Sequence, residues 1–292
     1  NEMVYQLPKF WPTVHSHNVA IAVGTDARKP TLPLLVSAIS SLDFNGASQL
    51  FPRYTWESTA TQDGALDLEV MSAAPDDDFL DGYRRVDNIT DATLAAYRAV
   101  HGGEVTKDDI FYGIYALLHH PTYRETYAAD LQKMLPRIPH VKGFAEYARL
   151  GRALAAMHVD YESVDQYKLG EVTTIDAPED PFELYRIEKL AWISRKDHTA
   201  IRYNAHLTIT GIPEGESGYR VAGRSPLEWV IDRYMVKTDK ASGIVNDPNT
   251  WLREHDDPRY VVNLIRSLVT VSLETQRLIA ELPAFEVIEP GP

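Results

Sequence analysis

The side chains with the clearest capacity for recognition chemistry lie between Leu184 and Asn249. Leu184–Arg224 carries seven basic residues (Arg186, Lys189, Arg195, Lys196, Arg202, Arg220, Arg224) against four acidic ones (Glu188, Asp197, Glu214, Glu216), a local balance of +3 in a chain of net charge −13. Guanidinium groups grip guanine edges or phosphates bidentately, and a planar amide can do the same for adenine. Ala200–Thr210 alternates: Ile201, Tyr203, Ala205, Leu207 and Ile209 share one face, and Arg202, Asn204, His206, Thr208 and Thr210 the other. That polar set is rich in groups able to read base edges; an ordinary half-solvated strand is the plainer reading. Farther on, Lys237, Lys240, Ser242, Gly243, Asn246 and Asn249 crowd into one run ended by Asp247-Pro248. The run is dense in hydrogen-bond donors, and it also fits a plain Gly/Asx/Pro turn between helices.

The elements that must position these groups are legible in outline. Ser225, Pro226 and Glu228 form a capping box that opens a helix with Leu227, Val230, Ile231 and Tyr234 on its apolar face. Asp257-Pro258 starts a long helix through Leu282, with Val261, Leu264, Ile265, Leu268, Val271 and Leu278 at core spacing. Upstream, Thr90 caps a helix that Gly102-Gly103 ends, Thr106 and Asp109 make a second capping box, and Asp108–Leu118 is apolar nearly all round. Further helices are expected over Tyr123–Leu135 and Gly143–Met157. Strands are expected at Val19–Val23, Leu34–Ile39 and Phe51–Trp56. The fold class that follows is α+β: β-rich segments flank a central helical block, with a long C-terminal helix. An acidic linker, Ala74–Asp81, suggests a β-rich lobe over 1–75 and a mixed helical/β lobe over 76–292.

Other features restrict the function. The 292 residues are 44% hydrophobic, enough for a full core. No apolar run of membrane-spanning length and no signal-peptide pattern occurs. Cysteine is absent, which removes disulfides and thiolate metal sites. The overall acidity argues against a non-specific nucleic-acid binder. There is no phosphate loop, no GxGxxG turn, no HExxH and no GxSxG elbow. The Asn/Asp-Pro-Pro-aromatic tetrapeptide is missing too, and no lysine follows Asp or Glu by two positions, as a metal-dependent nuclease site would need. The chain starts without Met and ends in a Pro-rich tail, as expected of a segment of a longer protein.

Four stretches together, Asn45–Trp56, Asp108–Arg124, Asp130–His140 and Gly223–Asn249, resemble the C-terminal specificity domain of Type ISP restriction–modification enzymes, in order and over about residues 1–282. The resemblance implies a non-catalytic target-recognition region of a single-chain bacterial, cytoplasmic enzyme. Its partners would be double-stranded DNA and the upstream methyltransferase and helicase-like domains. The parent would use ATP, Mg2+ and S-adenosylmethionine, with no cofactor in this region. The implied function is recognition of a DNA site, positioning of its adenine for N6 methylation, and licensing of cleavage. Arg195, Arg202, Asn204, Arg220 and Arg224 are then the candidates for bases, and Lys196, Lys237, Lys240, Ser242 and Asn246 those for phosphates. Because Gly223–Asn249 is so recognisable across a family whose members read different sites, base reading is expected mainly within Arg195–Asn204 and the less distinctive loops, and Lys237, Lys240 and Ser242 are expected to hold phosphates or the fold. The competing reading is an interaction module that docks the methyltransferase to the motor and touches DNA little.

Overall fold

The computed structural model describes residues 9–24, 32–39, 48–60, 78–131 and 136–289. The chain forms two compact units: residues 1–159 with 281–292, and residues 160–280. The expected lobe boundary at 75/76 lies outside the described residues; pairing of strands on either side of it joins them in the first unit.

In that unit, β1 (Ala20–Gly24) lies between β2 (Leu34–Val36) and β3 (Ser48–Pro52), both antiparallel to it. A second antiparallel sheet has the order β4 (Tyr54–Ser58), β6 (Tyr83–Asp87), β5 (Phe79–Leu80). The strand expected over Phe51–Trp56 is therefore two strands in two sheets. The break is at Arg53, whose backbone N–H turns to the Val19 carbonyl (2.8 Å). Its side chain, only 5% exposed as a residue, reaches Asp87 (2.5 Å) and Asp108 (2.6 Å). An inward-pointing, doubly paired cation thus replaces ladder continuity.

The helices follow the caps. Thr90 accepts from the Thr93 N–H at the start of α1 (Asp91–His101), and Thr106 with Asp109 completes a reciprocal capping box on α2 (Lys107–His119). His120 caps α3 (Pro121–Thr126) through Nδ1, while Nε2 bonds the Pro283 carbonyl (3.1 Å). The expected Tyr123–Leu135 helix is interrupted at Tyr127 (φ −104°, ψ 22°), α4 (Ala128–Leu131) follows, and residues 132–135 lie outside those described. α5 (Phe144–Val159) packs on α2 so closely that a Cβ on Gly151 would stand 1.8 Å from the Tyr112 carbonyl oxygen.

In the second unit the sheet order is β7 (Gly170–Thr173), β10 (Leu207–Thr210), β9 (Ala200–Arg202), β8 (Ala191–Trp192), all antiparallel. α6 (Pro181–Leu184) lies between β7 and β8 in sequence. The chain then runs through a 3-10 turn (Glu214–Gly218), α7 (Pro226–Arg233), a hairpin of β11 (Lys237–Thr238) and β12 (Val245–Asn246), α8 (Pro248–Glu254) and α9 (Tyr260–Ala280). Ile187, Leu190, Ile201, Tyr203, Leu207, Ile209 and Leu227 meet the apolar stripe of α9 (Val261, Ile265, Val269) in one core. The observed class is α+β, with the long helix near the C-terminal end as expected. No helix of the described residues is long and apolar enough to cross a membrane.

Candidate nucleic-acid interface

The strand expected over Ala200–Thr210 folds back on itself. β9 and β10 pair as a hairpin, with Ile201 opposite Ile209 and Arg202 opposite Thr208. The alternation survives because cross-strand partners share a face, so both arms send their apolar residues inward. The turn at Tyr203–His206 breaks the pattern: Ala205 is exposed and Asn204 is buried. Asn204 is 9% exposed, donates to the carbonyls of Leu184 (2.8 Å) and Arg186 (2.9 Å), and accepts from the N–H groups of His206 (2.9 Å) and Leu207 (2.8 Å). Both amide donors and two acceptor positions are used, so Asn204 holds the hairpin turn to the preceding loop and has no donor left for a base edge.

Arg202 points outward from β9. On the outer face of the sheet it belongs to a row that runs Val172, Thr208, Arg202, Ala191 across four strands. Beside it, the loop between β8 and β9 is fixed by local hydrogen bonds. Ser194 Oγ accepts from the N–H groups of Lys196 (3.3 Å) and Asp197 (3.1 Å), and Asp197 accepts from Thr199 N–H and Oγ1–H (2.9 and 2.6 Å). The Thr199 hydrogen bonds also hold the Asp197 carboxyl below its ordinary range. His198 stacks on Trp192 with centroids 4.5 Å apart and rings nearly parallel, 11° between planes. Arg195 and Lys196 therefore stand exposed on an ordered loop. Among the described residues neither they nor Arg202 form an ion pair.

Arg220 and Arg224 are differently placed. They flank a tight turn whose central residues, Ala222 (φ 50°) and Gly223 (φ 82°), lie in the left-handed region. Arg220 donates to the Gly223 carbonyl (2.7 Å) and pairs with Glu228 (3.2 Å), the carboxylate that also completes the α7 capping box. Arg224 pairs with Asp232 (2.9 Å) and lies 5.0 Å from the Trp229 ring centroid. Together with Lys189, Trp192, Ile231 and Met235 these groups line an open cleft of about 550 Å³. The ion pairs are half-exposed, so phosphate or guanine can compete for either arginine, but each starts with a partner.

The donor-rich run after α7 is an exposed hairpin, tied at its base by the Val236 N–H to the Glu188 carbonyl (3.1 Å). Lys237 pairs with Asn246 and Thr238 with Val245. Asp239 organises the tip: its carboxylate accepts from the N–H groups of Ala241 (3.0 Å) and Ser242 (2.7 Å) and from the Ser242 hydroxyl (2.9 Å). Those bonds, led by the Ser242 N–H and aided by nearby Lys237, keep the Asp239 carboxyl below its ordinary range. Ser242 is thus committed to the turn, whereas Lys237, Lys240 and Asn246 are exposed. Sequence reasoning missed the two apolar residues beside them: Ile244 is 68% and Val245 56% exposed. Their signal was an Ile-Val pair directly after a Gly-containing turn. Among the described residues no group of three or more His, Asp or Glu side chains is gathered to hold a metal ion.

Comparison with known proteins adds an independent line. The family model of the Type ISP C-terminal specificity domain matches residues 1–264. Among solved structures, the chain resembles the ATP-dependent Type ISP restriction-modification enzyme LlaBIII bound to DNA, with a TM-score of 0.80 and 31% identity over 97% of this chain. A nuclease-deletion mutant of the Type ISP enzyme LlaGI in complex with a DNA substrate mimic gives 0.72 and 31% over 97%. The DrdV–DNA complex gives 0.77 and 31% over 97%. The chain spans only 17%, 19% and 26% of those three polypeptides, respectively. No curated protein matches it.

Proposed function

Starting from the fact that this chain belongs to the Type ISP C-terminal specificity domains, we propose that it reads a specific double-stranded DNA sequence on behalf of a larger restriction–modification enzyme. The supporting observation is the exposed cation set of the second unit. Arg195, Lys196 and Arg202 project from ordered backbone without carboxylate partners among the described residues, in a protein whose net charge is −13. An acidic protein binds a polyanion only where cations are segregated and left available. Arg195 and Arg202 are the principal base-reading groups; Arg220 and Arg224 join them by exchanging Glu228 and Asp232 for DNA. Lys196, Lys237 and Lys240 hold phosphates, which fixes register without carrying sequence information.

In the parent enzyme this recognition would present an adenine to the methyltransferase domain, which must extrude it to reach N6. It would also license the motor and nuclease at unmethylated sites. ATP, Mg2+ and S-adenosylmethionine would be used by the other domains of the same polypeptide.

The test is methylation mapping in the source genome, followed by binding of the full-length protein to the mapped duplex and to a scrambled one across a salt series. We expect preference for the mapped site at all salt concentrations. Arg202→Ala should cost about 1–3 kcal/mol and relax discrimination at one position, and Lys196→Ala should weaken both duplexes alike and flatten the salt slope by about one unit. Equal binding to both duplexes by the wild-type protein, with no effect of Arg202→Ala, would sink the proposal and leave the docking-module reading.

A further inference from the structure

The β11–β12 hairpin presents a problem that the binding role alone leaves unanswered. An isolated two-stranded ribbon is marginal in water, and ribbons normally lay one face on a core. Here all four strand residues, Lys237, Thr238, Val245 and Asn246, are exposed, as is the whole tip from Asp239 to Ile244. The tip is nevertheless organised, by the Asp239 carboxylate inside and by paired backbone bonds between Asp239 and Ile244 (2.8 Å) and between Gly243 and Asp239 (2.8 Å). Gly243 has φ 72°, which an L side chain would resist. The ordered ribbon thus ends in two exposed apolar side chains, Ile244 at 68% and Val245 at 56%, set among exposed polar groups.

The pairing register says what faces which way. Lys237 and Asn246 are cross-strand partners, and Asp239 with Ile244 is the next pair on that same face. Thr238 and Val245 lie on the opposite face. One face therefore combines an amide, an ammonium group and a branched apolar side chain. Its one carboxylate is already engaged by the turn. Neither Lys237 nor Lys240 forms an ion pair among the described residues. That combination fits the major groove, which admits a two-stranded ribbon and displays thymine methyls and adenine N6/N7 pairs between two rows of phosphates.

Resting on the DNA-binding reading above, we propose that the β11–β12 hairpin enters the DNA major groove with its Lys237/Asn246/Ile244 face toward the bases. Ile244 packs on a thymine methyl, Asn246 reads an adjacent adenine edge, and Lys237 and Lys240 straddle the groove on phosphates. This makes Ile244 and Asn246 specificity-determining residues, moves Asn246 from phosphate holding to base reading, and departs from the sequence-based expectation that base reading lies mainly outside Gly223–Asn249, because the structure leaves these two side chains exposed on one face of the ribbon.

The experiment uses the full-length protein and duplexes carrying the mapped site with thymines replaced one at a time by uracil, which deletes only the major-groove methyl. We expect one replacement to weaken wild-type binding about ten-fold. Ile244→Ala should bind the unmodified site about as weakly, and be insensitive to that same replacement. Asn246→Ala should lose a similar factor on the target and little on scrambled DNA, whereas Val245→Thr, on the other face, should bind as wild type. All three positions are exposed, so unchanged thermal midpoints will confirm folding. The proposal is overturned if Ile244→Ala keeps the wild-type uracil sensitivity. It is equally overturned if hairpin variants bind the target normally, or lose target and scrambled DNA in equal measure, as a phosphate-only or protein-docking ribbon would. Failure of the wild-type protein to prefer any duplex would be a different result, because it removes the underlying DNA reading before the hairpin is reached.

Discussion

In the first unit, Arg53 is nearly buried between Asp87 and Asp108 and stacks 4.3 Å from the Tyr54 ring centroid. Lys107 bridges Asp87 and Asp91, and Arg152 meets Asp109 of the α2 capping box. In the second unit, Arg259 and Arg266 are spent similarly on Glu171, but Arg195, Lys196, Arg202, Lys237 and Lys240 stand in solvent without ion pairs among the described residues. The same residue types are thus structural fasteners at some positions and available groups at others, and the second unit holds both kinds. Charge content alone does not distinguish them; the presence of a carboxylate within reach does.

The strongest way to test the contrast is to damage each unit at a point that touches no DNA candidate. Gly151→Ala should be the most harmful substitution, because its Cβ would overlap the Tyr112 carbonyl and force α2 and α5 apart. A loss of about 3 kcal/mol or more is expected in urea unfolding, since rigid backbone offers no rotamer to relieve it. In the second unit, Asn204→Ala removes four hydrogen bonds and leaves the buried Leu207 N–H and the part-buried His206 N–H without that acceptor. It should cost about 2–3 kcal/mol of stability. If Asn204→Ala instead left stability intact and altered site preference, its assignment to the fold would fall.

A smaller effect separates free from paired arginines. Arg202→Ala should reduce target affinity by about 1–3 kcal/mol with an unchanged unfolding midpoint. Arg220→Ala and Arg224→Ala should do less to affinity, because DNA must first displace Glu228 and Asp232, and should shift the midpoint slightly. Equal affinity losses in all three would erase the distinction.

The units should also differ in pH response. His119 is buried and His158 part-buried beside Tyr115 in the first unit, and desolvation lowers their pKa values from 6.5 to about 4 and about 3. Their contribution is complete above pH 6.5 and is lost as pH falls toward those lowered values, because the unfolded chain takes up protons that the fold refuses. Glu216 in the second unit has the opposite sign. Burial raises its pKa although it accepts from the Leu227 N–H (3.3 Å), so its contribution is fullest below the ordinary Glu range and is lost as pH rises through the raised value. Urea titrations at about pH 7.5 and about pH 5, with peptides of each unit followed by hydrogen exchange, should show the first unit losing more protection on acidification. Equal losses would contradict the assignment.

Local signals in the sequence decided the helix starts. Thr90, Thr106 and Ser225 cap as their spacing dictates, because a cap is satisfied by residues two or three positions away. The apolar stripe of α9 and the α+β class were equally legible, since periodicity is a local property. The family was legible too, from the quoted stretches of sequence. The chain's own letters did not show that Phe51–Trp56 divides at Arg53, or that Ala200–Thr210 folds back at Asn204. An arginine and an asparagine inside alternating runs look like surface residues until distant partners appear: Asp87 and Asp108 for one, the Leu184 and Arg186 carbonyls for the other. Those partners are non-local, and tertiary structure alone brings them within hydrogen-bonding distance. For the same reason, only the fold could determine which cations are left for a ligand.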